Sequence, residues 1–377
     1  MRRGAVVLAL GGAQTLAWAS SYYLPAILAD PIARDLGIPA SWVFAAFSAA
    51  LLLSAALGPA VGRAIDRRGG RGVLWRSSLV FAAGLGALAA AQGPVGLGAA
   101  WLVLGVGMGM GLYDAAFATL ARLHGRDARR AITGVTLMAG FASTVGWPVT
   151  AWLDGAVGWR GACLVWAGLH LAVGLPLNRS LPSPAPVPGG AAEEPGVAPR
   201  GTLVLLAFVF AAMGMVGAGM AAHLPRLLQA AGASPGAALA AAALIGPVQV
   251  AARLLEFGAQ RRLHPLATAA LATALHPVGA VALLLWGGPA STVFAVLHGA
   301  GAGLLTIARG TLPLALFGAA GYGRRTGLLA VPARVAQAGA PLLFGLLLDA
   351  GWQAALAASA LLGLAATAAL AALRRAA

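Results

Sequence analysis

Twelve times along the chain a run of about 20 residues passes with almost no charge, each long enough to cross a ~30 Å hydrocarbon core as one helix. The runs fall near 5–29, 41–63, 73–92, 97–121, 131–153 and 159–177. After a break they resume near 202–224, 236–256, 265–286, 290–314, 327–347 and 353–373. A chain that is 60% hydrophobic and 9% charged cannot cover itself in water, where a domain carries about 25% charged residues. The fold class is therefore an all-α polytopic membrane protein. Glycine and proline inside the runs fit this class, because neighbouring helices re-satisfy the backbone. Met1-Arg2-Arg3 before the first run imitates a signal peptide. That run continues to about Leu28, beyond a signal core, and more spans follow.

The break, Asn178 to Arg200, holds six prolines, Glu193 and Glu194, and no apolar periodicity. It reads as a linker over 178–201, joining a first half at 1–177 to a second at 202–377. All 25 basic residues are arginine, and the net charge is +15. A nucleic-acid partner is excluded because the arginines punctuate apolar spans instead of forming one patch. With both termini in the cytoplasm, the outer side carries only Arg34, Arg160 and Arg226, and the other 22 lie inside. Cys163 is the only cysteine, so there is no internal disulfide and no multi-cysteine metal site. No histidine pair has zinc-ligand spacing, and a phosphate loop would need the lysine this chain lacks. The chain reads as a non-enzyme without metal or cofactor.

The halves repeat. Tyr23-Leu24-Pro25 ends the first span and His223-Leu224-Pro225 the seventh. Gly58-Pro59 with Arg63-x-x-Asp66 is echoed by Gly246-Pro247 with Arg253-x-x-Glu256. Gly111 through Thr119-Leu120 is echoed by Gly303 through Thr311-Leu312. Arg129-Arg130 and Arg324-Arg325 precede the fifth and eleventh spans, which end near Asp154 and Asp349 before a Gly-Trp pair. The offsets are about 188 to 200 residues. Two pseudo-symmetric six-helix bundles follow, a build in which substrate sits at the midplane.

Between the second and third spans lies GPAVGRAIDRRGGR, Gly58 to Arg71, with Gly62, Arg63, Asp66, Arg67, Gly69 and Arg71 in the pattern Gly-x-x-x-Asp-Arg-x-Gly-Gly-Arg. This resembles the cytoplasmic signature loop of the major facilitator superfamily, and the twelve spans, linker and repeat extend the resemblance over the chain. YYLPAIL in the first span is similar to bacterial relatives of the monocarboxylate-porter branch. The resemblance implies a gating loop. Gly62 lets the second helix press on the eleventh, Asp66 accepts hydrogen bonds from the start of the eleventh, and the arginines hold helix ends and lipid phosphates. Arg253 and Glu256 form a weaker second-half gate, or a helix-end ion pair.

Charge inside the spans marks candidate sites. Asp114 follows Tyr113 in the fourth span, Arg309 lies in the tenth, and Arg334 lies in the eleventh. The resemblance has spans one, four, seven and ten line the cavity. Asp114 then pairs with Arg309 or Arg334 across a gate, or Arg309 binds an anionic substrate while Asp114 carries a proton, or the pair is static. Gln14, Tyr22 and Tyr23 offer hydrogen bonds in the first span, although tyrosines here also serve as interfacial anchors. His223 sits at the matching end of the seventh span as a titratable or merely solvated group. His298 is a proton-relay candidate and His276 a packing residue. Gln249 and Gln337 make interhelical hydrogen bonds, and the glycines at 105, 107, 109 and 111 let helices approach closely. Leu102, Val103 and Leu104 replace an arginine that many proton-driven members carry. The antiporter glycine series survives only as Gly140…Gly146-Trp147-Pro148, which disfavours drug–proton antiport.

The function these features imply is secondary active transport of a small organic solute, of the monocarboxylate or organic-anion class, with proton coupling. The protein would be a monomer in the bacterial inner membrane, with lipids as partners. The alternatives are drug or metabolite efflux and, in a different class, a non-transporting sensor or membrane scaffold.

Overall fold

A computed structural model describes residues 3–183, 200–259 and 263–376. Most of the expected linker, with Glu193 and Glu194, lies outside the described residues, as do Arg2, Arg261 and Arg262. The described chain is helical, with no strand: α1 (Arg3–Ser20), α2 (Pro25–Leu36), α3 (Ala40–Arg68), α4 (Arg71–Ala89), α5 (Pro94–Gly111), α6 (Tyr113–His124), α7 (Ala128–Ala139), α8 (Ala142–Leu169), a π turn (His170–Gly174), α9 (Leu175–Arg179), α10 (Arg200–Ala230), α11 (Pro235–Ala259), α12 (Pro265–Trp286), α13 (Ser291–Phe317), α14 (Tyr322–Ala350) and α15 (Trp352–Ala376).

Ten stretches of the described residues are long and apolar enough to cross a membrane. One, Ala128–Arg179, runs for 52 residues, far beyond a single crossing of about 20. It turns at Gly158, whose φ of 72° a side chain would resist. The first span falls outside the ten because Ser21–Leu24 breaks it into α1 and α2. The two limbs of the long stretch and the broken first span restore the twelve crossings. The turn between α14 and α15 uses Gly351 at φ 143°, so both Gly-Trp pairs mark a turn that needs glycine.

The chain forms two compact units, Met1–Gly196 with Phe317–Leu328, and Val197–Leu316 with Leu329–Ala377. The tip 317–328 therefore groups with the first unit, although in sequence it lies in the second half. The first unit's core includes Leu28, Val43, Phe81, Trp101, Leu104 and Trp166. That of the second includes Met220, Leu283, Phe294, Phe344 and Leu356. Large apolar side chains also cover the outside, among them Trp152 at 69%, Leu285 at 68% and Leu342 at 70% exposure. A patchwork of this size suits hydrocarbon, not water.

Glycines fix the repeat's register. In the first unit a Cβ at Gly105 would lie 2.6 Å from the Ala50 carbonyl oxygen, and one at Gly109 would lie 3.2 Å from that of Ser54. In the second unit a Cβ at Gly299 would lie 3.2 Å from Ile245 Cα, and one at Gly303 would lie 2.6 Å from the Gln249 carbonyl oxygen. Ala50 and Ser54 are 195 residues from Ile245 and Gln249. By this register Arg253 is the counterpart of Gly58, and Glu256 of Val61. The sequence match of Arg63-x-x-Asp66 to Arg253-x-x-Glu256 is thus slipped by five residues, about 7 Å along a helix. The close glycine crossings, not the charged residues, carry the true alignment.

Candidate functional site

Two places gather the first unit's functional side chains. The first is the end of α3. A Cβ on Gly62 would collide with the carbonyl group of Gly323, and Gly327 packs as tightly on Gly58, its Cβ position 2.6 Å from the Gly58 oxygen. This approach brings Asp66 to the start of α14. Its Oδ1 accepts from the Gly323 N–H and its Oδ2 from the Arg324 N–H, both at 2.9 Å. The first turn of a helix leaves N–H groups unsatisfied and partly positive. A carboxylate from a distant helix fills that need here, since the residues just before α14 supply no acidic cap. Two charge-assisted bonds contribute about 1.5–3 kcal/mol each. Arg325, 7% exposed, braces the far side by donating to the Phe317 carbonyl at 2.9 Å.

The rest of the loop divides its work. Gly69 ends α3 at φ 78°, and Gly70 lies against the Thr119 side chain of α6, where a Cβ would not fit. Arg63, Arg67 and Arg68 are exposed and Arg71 is half-buried.

The second place is where the first and fourth spans break. α5 ends at Gly111, Leu112 is extended (ψ −170°), and α6 restarts at Tyr113 with Asp114 in its first turn. A broken helix leaves its last carbonyls without partners. Gln14 of α1, 1% exposed, donates its Nε2 to Gly111 O. Trp18, one turn on, ties the breaks together. Its ring centroid lies 5.0 Å from Tyr22, 6.1 Å from Tyr23 and 4.8 Å from Tyr113. Phe47 of α3 meets Tyr22 at 5.5 Å and Trp147 of α8 meets Tyr23 at 5.9 Å. Among the described residues neither the Gln14 Oε1 nor the Trp18 indole N–H, both buried, has a partner. Apolar faces beside a few unspent polar atoms are the usual make-up of a small-molecule site.

The sequence reading missed Trp18, Phe47 and Trp147. Trp18 was findable, because it precedes Tyr22 by four residues, one helical turn. Phe47 and Trp147 join only through packing.

The second unit's candidates have the following surroundings. Arg309 reaches from α13 to α10, donating to Phe210 O at 3.2 Å with its guanidinium 5.8 Å from that ring. Arg334 is half-buried on α14. His223, expected solvated or solute-facing, donates Nε2 to Pro341 O at 2.7 Å and so ties α10 to α14. His298, expected on a cavity-lining span, is buried. It turns into its own bundle, 6% exposed, with Nδ1 at 3.0 Å from Nδ1 of His276, whose Nε2 meets Ser359 Oγ at 3.0 Å.

Arg253 and Glu256 are 5% and 3% exposed. Arg253 donates to Gln249 Oε1 at 3.1 Å and to Gly303 O and Thr306 Oγ1 at 3.4 Å. These bonds form a strut from α11 to α13. Gln249 accepts from Arg253 within α11, and Arg253 carries the link on to α13.

The Major Facilitator Superfamily profile matches residues 10–294. The chain belongs to this family of membrane transporters. No curated protein matches it significantly. Among solved structures, the human organic anion transporter MFSD10 (TETRAN) superposes with a TM-score of 0.72 at 17% identity, over 98% of this chain and 100% of that one. The transporter FucP, in an outward conformation, gives 0.78 at 12% identity over 97% of each chain. The proton:xylose symporter XylE, bound to 6-bromo-6-deoxy-D-glucose, gives 0.75 at 12% identity over 97% and 94%. At these identities the likeness shows the fold, and the twelve-crossing all-α reading stands with it.

Proposed function

We propose that this protein moves a small organic solute across its membrane by alternating access, with the Trp18–Tyr22–Tyr23–Tyr113 cluster as the solute platform. The carrying observation is that two separate breaks in membrane helices, at Ser21–Leu24 and at Leu112, converge on one tryptophan. Irregular backbone at membrane depth persists where protein or a watery cavity surrounds it, and substrate sites use such discontinuities. The contact of Asp66 with α14 is the latch of this cycle. It must break and re-form, and two hydrogen bonds at a helix start suit that better than a buried ion pair.

The solute class we favour is a small organic acid moved with a proton, as in the monocarboxylate-porter branch. Arg309, half-buried in its span, supports an anion, and Asp114 is the proton carrier. The name of MFSD10 points the same way. A second reading, efflux of a cationic drug or metabolite, draws on Asp114 following Tyr113 at the start of α6, since aromatic faces with a carboxylate suit a cation. The arginine asymmetry supports both termini in the cytoplasm of a bacterial inner membrane, and we place the halves at 1–177 and 202–377 and the protein as a monomer. The test is counterflow in proteoliposomes with labelled lactate, pyruvate and benzoate beside tetraphenylphosphonium, with and without a pH gradient. Carboxylate exchange accelerated by an acid outside is expected. Exchange of the phosphonium alone would select the second reading. Binding of these probes without exchange would leave a sensor.

A further inference from the structure

The geometry points to a specific site for an anionic phospholipid headgroup, built by Trp75 and Arg76 on α4 and Arg179 on α9. The Arg76 guanidinium lies 5.0 Å from the Trp75 ring centroid, and that of Arg179 lies 6.0 Å from the same ring. Two cations thus converge on one indole. Neither meets a carboxylate among the described residues. Both are exposed, so among the described residues no counter-charge is supplied to them and an anion can reach both.

The convergence is built and not a chance of long side chains. Asn178, beside Arg179 and only 6% exposed, donates Nδ2 to Ser78 Oγ at 3.1 Å. That bond clamps α9 to α4 one turn from Trp75 and sets where Arg179 can reach. Leu79 of α4, 40% exposed, and Val173 of the π turn before α9, 43% exposed, lie further from the helix ends. The order is therefore cations and an indole at the end of the helices, then apolar side chains toward their middle. A phospholipid has the same order, phosphate then acyl chain, and indoles favour that boundary. A free phosphate would have no use for the apolar part.

The equivalent helix of the second unit is built differently. Phe81 packs at Gly107 as Leu275 packs at Gly301, 194 residues on. By that register the counterparts of Trp75 and Arg76 are Ala269 and Ala270. A general preference for arginine at one membrane face would not by itself set an arginine beside an indole on α4 and alanines on α12.

The test is a native mass-spectrometric titration of the detergent-purified full chain with phosphatidylglycerol, phosphatidylcholine and inorganic phosphate. One saturable phosphatidylglycerol site is expected, tighter than for phosphatidylcholine and not displaced by phosphate. An interfacial arginine strengthens anionic-lipid binding about fivefold. Arg179→Gln should lose about that factor, and Arg76→Gln with Arg179→Gln about 25-fold. Arg67→Gln with Arg68→Gln, equal in charge, should lose less. Three results would overturn the site: unchanged phosphatidylglycerol affinity in the Arg76/Arg179 variant, an equal loss in the Arg67/Arg68 variant, or full displacement by inorganic phosphate. Trp75→Leu gives an independent reading, because loss of the indole should weaken the site while leaving every charge in place.

Discussion

The ends of the second and eighth spans come from equivalent places in a duplicated fold, yet they hold opposite kinds of chemistry. On α3 the charged group, Asp66, reaches outward to two backbone N–H groups of α14 at 2.9 Å. On α11 the charged groups, Arg253 and Glu256, lie about five residues deeper and face inward, 5% and 3% exposed. The glycine crossings beneath them are conserved in geometry, Gly105 and Gly109 on one side and Gly299 and Gly303 on the other. Shared packing therefore sets the scaffold, while each half spends its charge differently. One end is a contact of one carboxylate with two backbone N–H groups, which we propose is released during transport. The other is a strut whose loss leaves buried polar groups unpaired.

That difference is open to attack at several strengths. The largest effect should come from Arg253→Ala, which removes a buried charged donor to Gln249, Gly303 and Thr306. Hydrogen bonds to charged groups contribute about 1.5–3 kcal/mol each, so thermal unfolding in nanodiscs should fall steeply. An unchanged melting temperature would make the strut dispensable and erase the contrast. Asp66→Ala should remove both bonds of about 1.5–3 kcal/mol each from the α14 contact, offset in part by water reaching the freed N–H groups at the exposed end, read as a large loss of counterflow with a smaller change in melting than Arg253→Ala. Asp66→Glu should also impair transport while solute affinity and membrane insertion persist. If both Asp66 variants transport normally, the contact is not a latch.

Gly62→Ala is subtler in composition but direct in geometry, since the new methyl meets the Gly323 carbonyl. An overpacking cost of about 1–3 kcal/mol should slow transport in the same direction as Asp66→Ala. The smallest effect belongs to Arg226→Gln. It breaks the 2.7 Å pair with Asp349, whose side chains are 59% and 62% exposed. Exposed pairs contribute about 0–1 kcal/mol, so melting should scarcely move. A large drop there would show that exposed pairs, not buried struts, hold the second unit.

Much of this architecture was legible before any coordinates. Apolar run length gave the crossings, because bilayer thickness allows little else. The loop from Gly62 to Arg71 was legible because its glycines and its aspartate each have one narrow physical use. What escaped were relations that only packing makes. Arg63-x-x-Asp66 and Arg253-x-x-Glu256 look alike as strings, but helix register is set by close glycine contacts two or three turns away. His298 sits on a span expected to face a cavity, yet one rotation about the helix axis aims it at His276 instead. Trp18 was within reach, one helical turn before Tyr22, but Phe47 and Trp147 have no signature in the sequence until packing brings them to the tyrosines.

The claim that decides most is that Asp66 holds the start of α14 through Gly323 and Arg324. Hydrogen exchange of the peptide spanning 322–328, compared between the parent, Asp66→Ala and Arg253→Ala in nanodiscs, tests it directly. Losing one charge-assisted bond of about 1.5–3 kcal/mol should speed exchange by roughly ten- to a hundredfold. The Gly323 and Arg324 amides should accelerate by that order in Asp66→Ala and stay protected in Arg253→Ala. Equal protection in the parent and in Asp66→Ala would contradict the latch.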